Sequence, residues 1–88
     1  MQFLHTREHL NSGCIVEVDC SHQCNVILLD DLNFSHYKNG RQFMHHGGGG
    51  FFKMFPARLQ VPTTGYWNVV LDLGGGSANI RHSIRFIG

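Results

Sequence analysis

Asp30 and Asp31 stand side by side, with Asn33, His36 and Tyr37 close behind. Paired carboxylates do acid–base work when burial or a like-charged neighbour shifts one pKa, and with an asparagine oxygen they can also hold a cation. Neighbours on an extended chain point to opposite faces, so adjacency alone does not make a dyad. The competing role is local: one carboxylate caps the helical turn that follows, and the other orders the turn through side-chain bonds. The sequence favours this second role.

The cysteines pose a similar choice. Cys20-Ser21-His22-Gln23-Cys24, with Cys14 and the pair His45-His46, contains ligand types that zinc accepts. The spacing is not a two-residue knuckle, and no second cysteine pair completes a tetrahedron. If one strand runs from Cys14 through Cys20, the two sulfurs lie about 20 Å apart at strand rise. No metal and no cofactor is expected. Three cysteines are an odd number, so the expectation is reduced thiols and no disulfide framework. Gly47 to Gly50 lack the Lys-Ser/Thr of a phosphate loop. No serine sits in a nucleophile elbow.

The aromatic residues offer a binding surface instead. Tyr66 and Trp67 fall on alternate faces of one strand, so one can lie outward while Trp67 follows the apolar stripe. Tyr66 and Tyr37, with His36 and the outward Arg81 and Arg85, are candidates for an aromatic–basic patch. Such a patch suits a small molecule or a protein surface. Phe43, Met44, Phe51 and Phe52, with Met54 and Phe55, place six large apolar residues around a glycine-rich tip. A small domain cannot hide them all, so either a second copy covers them or the loop plugs its own sandwich.

The elements that must position these groups are strands. Cys14, Val16 and Val18 alternate with Glu17 and Asp19, and Asn25 to Leu29 is a short apolar run fit for burial on both faces. Ala57 to Val61 alternates and stops at Pro62. In Gly65 to Leu73, Trp67, Val69, Leu71 and Leu73 face one way, and Tyr66, Asn68, Val70 and Asp72 the other. A first strand is expected over Gln2 to His5 and a last over Ala78 to Ile87, with a glycine turn at Gly74 to Gly76. The expected core holds Val16, Val18, Leu28, Leu59, Val61, Val69, Leu71, Ile80, Ile84 and Phe86. One helical turn is expected at Phe34 to Lys38, with Asn33 as N-cap and Gly40 after its end. The glycine tip is expected to be a mobile hairpin loop.

These elements predict an all-β domain over residues 1–88, a small β-sandwich or partly open barrel of about six to eight short strands with one short helical turn. At 88 residues the chain fits one domain. Its charged fraction is 15% and its net charge +1, which argues against nucleic acid or a membrane surface as partner. No run approaches the roughly 20 apolar residues of a membrane span. The first residues carry no export signal, so a cytoplasmic protein is expected. Seven histidines against six carboxylates make the net charge climb as pH falls below about 6.5.

Asn25-Val26, DDLNFSHY from Asp30 to Tyr37, Val61-Pro62, GYW from Gly65 to Trp67, DLGG from Asp72 to Gly75 and SIR from Ser83 to Arg85 stand in an order and spacing that resemble a bacterial family, domain of unknown function 1883. The resemblance spans the chain and rests on the motifs together. It implies a small β-rich domain, alone or fused to a TIR signalling domain, and it carries no catalytic residue. The leading expectation is therefore a non-catalytic ligand-binding or protein-interaction module. The alternative is a small hydrolase or metal-dependent enzyme using Asp30, Asp31 and the histidines.

Overall fold

The computed structural model describes residues 3–73 and 80–88. Among them are seven strands and one helix: β1 (Phe3–Leu10), β2 (Ile15–Cys20), β3 (Cys24–Leu29), α1 (Asp31–Lys38), β4 (His46–Phe52), β5 (Ala57–Gln60), β6 (Gly65–Asp72) and β7 (His82–Ile87). They form two antiparallel sheets, ordered β1-β6-β3-β4 and β5-β2-β7. This is a small all-β sandwich, with no closed barrel. No helix of the described residues is long and apolar enough to cross a membrane.

The core lies where the alternation places it. Val16, Val18, Val26, Leu28, Leu59, Val69 and Leu71 are buried between the sheets, with Trp67 beside them. The Trp67 indole N–H donates to the Thr63 carbonyl at 2.8 Å, so its polar edge is satisfied at the core margin. β3 is buried on both faces, as its unbroken apolar run requires. Val26 and Leu28 enter the sandwich core, while Ile27 and Leu29 join Val70 and Tyr37 in a second cluster under α1.

An eight-residue helix is too short to persist alone in water, and α1 is held by that cluster and by its caps. Its N-cap is Asp30, not Asn33: the Asp30 carboxylate accepts from the Asn33 backbone N–H at 2.7 Å. Asp30 wins because the helix begins at Asp31, three residues before the expected turn. Asn39 closes the C-terminal end, and Gly40 follows at φ +70°, the left-handed conformation that glycine adopts at least cost.

Three further expectations change. β1 is eight residues long and not confined to the segment ending at His5; its polar alternation hid it. The glycine tip is not a loop. Gly47 to Gly50 lie inside β4, because a Cβ at Gly49 would stand 2.6 Å from the Val26 carbonyl, and one at Gly47 2.7 Å from the Gln60 carbonyl. Glycine there permits close backbone approach to β3 and β5. Phe86 faces inward beside Val16 yet stays 37% exposed: the phase holds, but β7 is an edge strand with one neighbour. Ile80 and Ile84 are partly buried against the core. The expected turn at Gly74 to Gly76, residue Gln2 and the start of the last strand at Ala78 lie outside the described residues.

Candidate functional site

The outer face of the four-stranded sheet carries the polar chemistry, and strand register explains why. His5, Arg7 and His9 of β1 sit opposite Val70, Asn68 and Tyr66 of β6. Asn25, Ile27 and Leu29 of β3 flank Asp72, Val70 and Asn68 on the other side. α1 lies across this face and divides it into two regions.

The first region is a hydrogen-bonded network. Asn68 is 1% exposed. Its amide donates to Asp31 Oδ1 at 2.9 Å and to the Leu29 carbonyl at 3.2 Å, and its Oδ1 bonds His5 Nε2 at 2.7 Å. Arg7 grips Asp31 through two bonds of 3.0 and 2.8 Å. The Arg7 guanidinium carbon lies 4.0 Å from the centre of the Tyr66 ring, and His5 stacks on Phe34 at 4.0 Å. Arg7, then Asn68, holds the Asp31 carboxyl down at about 2. Asp31 is thereby kept as an anion, which suits a structural partner and not a general acid.

The second region is a pocket of about 450 Å³ between the C-terminal end of α1 and β4. Ile27 and the Tyr37 and Phe43 rings form its apolar wall, the two rings meeting edge to face at 5.2 Å. Asn25, Arg41, His45 and Asp72 bring polar groups to the same space. Tyr37 donates its hydroxyl to Asp72 Oδ2, and burial, then Asp72, pushes the phenol well above its ordinary pKa. Asn33 supports the wall from behind, its side-chain oxygen accepting from the Met44 backbone N–H at 2.9 Å.

The expected site residues are thus distributed. Asp30 caps α1, Asp31 belongs to the network, and Asn33 ties the segment after α1 to the helix. His36 is half-buried in the last turn of α1, its carbonyl accepting from the Arg41 backbone N–H at 2.9 Å. Tyr37 lines the pocket, and Tyr66 is the exposed member of the Tyr66–Trp67 pair. Arg81 and Arg85 are not with them. Both lie at β7 in the other sheet: Arg81 borders a shallow pocket at Cys20, and Arg85 pairs with Glu17 at 3.1 Å. The expected single aromatic–basic patch is therefore not formed, because its members come from different sheets. The cation over Tyr66 is Arg7.

Phe43 closes the pocket, and Phe52 packs against the core together with Phe55. Met44 and Phe51 are exposed. Among the described residues no group of three or more His, Cys, Asp or Glu side chains converges as a metal site. Arg7, Asn25, Arg41, Asn68 and Asp72 were missed by sequence reasoning, and His45 was weighed only as a metal ligand. One signal was present: Asn68 and Asp72 interrupt the apolar run of β6 in phase with each other.

No curated protein and no solved structure matches the chain. A family model does, over residues 1–87, and its description is a domain of unknown function. That span takes in every strand of both sheets together with α1, so the motifs, the sandwich and the outer-face site all fall inside the matched region: the chain belongs to the DUF1883 family.

Proposed function

We propose that this domain is a non-catalytic binding module, and that a small molecule occupies the pocket between α1 and β4. The carrying observation is the lining: Asn25, Arg41, His45 and Asp72 converge around Ile27, Tyr37 and Phe43 in about 450 Å³. Concave sites with an apolar wall and a few convergent polar groups are the usual form of small-ligand sites. The aromatic Tyr37 and Phe43 with the Asp72 carboxylate favour a cationic centre, and the Arg41 guanidinium favours an acidic group. The ligand class that fits is a compact molecule carrying both charges. The hydrolase reading has less support, since Asp30 is engaged in capping and Asp31 in the Arg7 pair.

Saturation-transfer NMR with small amino acids, amines and dicarboxylic acids tests this reading. Binding of amino acids that is lost in Phe43→Ala and weakened in Arg41→Ala supports it. Both side chains are exposed enough for the fold to survive. No binding by any of these probes to the folded protein overturns it.

A second reading rests on exposed apolar side chains at and beside β4, an edge strand of its sheet. Met44 is 69% exposed, Phe51 53% and Met54 84%. Apolar surface beside a strand edge calls for cover, and a second copy of the chain is the commonest cover. Light scattering at micromolar concentration checks it. A mass near twice 9.9 kDa, reduced to the monomer by Phe51→Ser, is expected; a wild-type monomer removes the reading.

A further inference from the structure

The β2–β3 connection crosses from one sheet of the sandwich to the other, and a cysteine stands at each end. Cys20 closes β2 and Cys24 opens β3. Both side chains turn into the core between the sheets, and their sulfurs are 3.9 Å apart. Cys14 sits at the far end of β2, so it takes no part. A pocket of about 310 Å³ reaches Cys20 from solvent, lined also by Asp19, Ser21, Arg81 and His82. Cys24 lies behind it, 2% exposed.

We propose that Cys20 and Cys24 are a redox pair that closes to a reversible inter-sheet disulfide when the protein meets a hydroperoxide. The Cys20 sulfur attacks a peroxide that enters from the pocket Cys20 borders; the O–O bond breaks, and Cys20 becomes a sulfenic acid as water or an alcohol leaves. The Cys24 sulfur then attacks the Cys20 sulfur. The S–S bond forms, the S–O bond breaks, and the departing hydroxide takes the Cys24 proton as water. Two thiols are oxidised by two electrons, and one peroxide is reduced. A dithiol reverses the change by exchange.

The two sulfurs have different tasks because their surroundings differ. Cys24 is 2% exposed and does not border the pocket, whereas Cys20 does, which leaves the first step to Cys20. Burial, then the neighbouring Cys20, pushes the Cys24 thiol up, as suits the second partner. The sulfurs must close from 3.9 Å to about 2 Å. The loop so closed is very short, and a short loop removes little entropy from the unfolded chain. The bond is accordingly a switch and not a staple. Its closure is felt at two places. Ser21 and Arg81 exchange hydrogen bonds of 2.8 and 2.9 Å, which ties the β2–β3 connection to the start of β7. Cys24 is also the cross-strand partner of Phe52 in β4.

The test is intact-mass measurement of the reduced wild-type protein before and after a small excess of hydrogen peroxide. The expected result is loss of two hydrogen atoms, reversed by dithiothreitol. Cleavage after Glu17 separates Cys14 from the pair, and the bond should map to the Cys20–Cys24 peptide. Cys14→Ser should behave as wild type. Cys24→Ser should stop at a Cys20 sulfenic acid that dimedone traps. Oxidation of Cys20 to sulfinic acid without loss of two hydrogens, a bond to Cys14, or thiols unchanged by peroxide would each overturn the proposal. These wild-type readouts do not depend on either variant folding, and they are independent of what the α1–β4 pocket binds.

Discussion

The Tyr37 hydroxyl donates to Asp72 Oδ2 at 2.5 Å, joining the last turn of α1 to the end of β6. This bond fixes the wall of the candidate pocket to its floor. Tyr37→Phe keeps the ring and removes the donor. A hydrogen bond to a charged group contributes about 1.5–3 kcal/mol, and the variant should lose roughly that in urea unfolding. The wild type should also weaken in alkali. The folded Tyr37 pKa lies above its ordinary value of 10.0, so its contribution is complete below pH 10 and fades as pH rises beyond it. Tyr37→Phe should show a shallower alkaline loss; an identical alkaline profile would remove this assignment.

The Arg7–Asp31–Asn68 network predicts the acid limb. Asp31 is held at about 2 against an ordinary 3.8. A depressed carboxylate contributes fully above its unfolded pKa and loses that contribution as pH falls through the folded one. Stability should therefore drop between about pH 4 and pH 2, and Asp31→Asn should flatten that part of the curve. Asn68→Ala removes the side-chain donor to the Leu29 carbonyl and one of the donors to the Asp31 carboxylate, which keeps Arg7, at a cost of about 1–3 kcal/mol. Urea titrations across the acid range check both.

Gly47 and Gly48 separate two causes of glycine preference. Their φ values are alike, +75° and +89°, but a Cβ at Gly48 meets open space while one at Gly47 meets the Gln60 carbonyl at 2.7 Å. Both Ala variants carry the left-handed strain. Gly47→Ala should cost about 1–3 kcal/mol more, the usual penalty for overpacking. Equal losses would mean that β4 can shift away from β5.

Leu71 and Phe86 test the core in the same way. Leu71 is fully buried, and Leu71→Ala should cost about 2–5 kcal/mol. Phe86→Ala, at an edge strand and 37% exposed, should cost clearly less. Chemical denaturation of the pair gives the comparison.

The apolar alternation was legible because burial between two sheets imposes it on β2, β5 and β6 whatever their order. The part of β1 beyond His5 escaped because its outward Arg7 and His9 are polar and its inward positions include Thr6 and Glu8. β4 escaped because glycine has no side chain to alternate; only the closeness of Val26 and Gln60 explains it. Tyr37 could be placed under α1 from its spacing to Phe34. Its partner Asp72 is 35 residues away, and no local pattern links them. The same holds for Arg7 and Asp31, which meet only because β1 pairs with β6 beneath the helix.

The strand order also governs what the chain can complete while it is being made. β2 is the middle strand of its sheet, yet both of its neighbours, β5 and β7, come later. β1 likewise waits for β6, with Leu10 paired to Gly65 and Phe3 to Asp72. A nascent chain that has reached β3 therefore exposes three strands with no partners, since β3 itself waits for β4 and β6. Their ladder groups and apolar faces stay open until β6 and β7 have left the ribosome exit channel. Pairing across such separations is slow, and an open strand edge is a template for another chain. The interval between synthesis of β3 and arrival of β7 is when the polypeptide most needs a holdase chaperone.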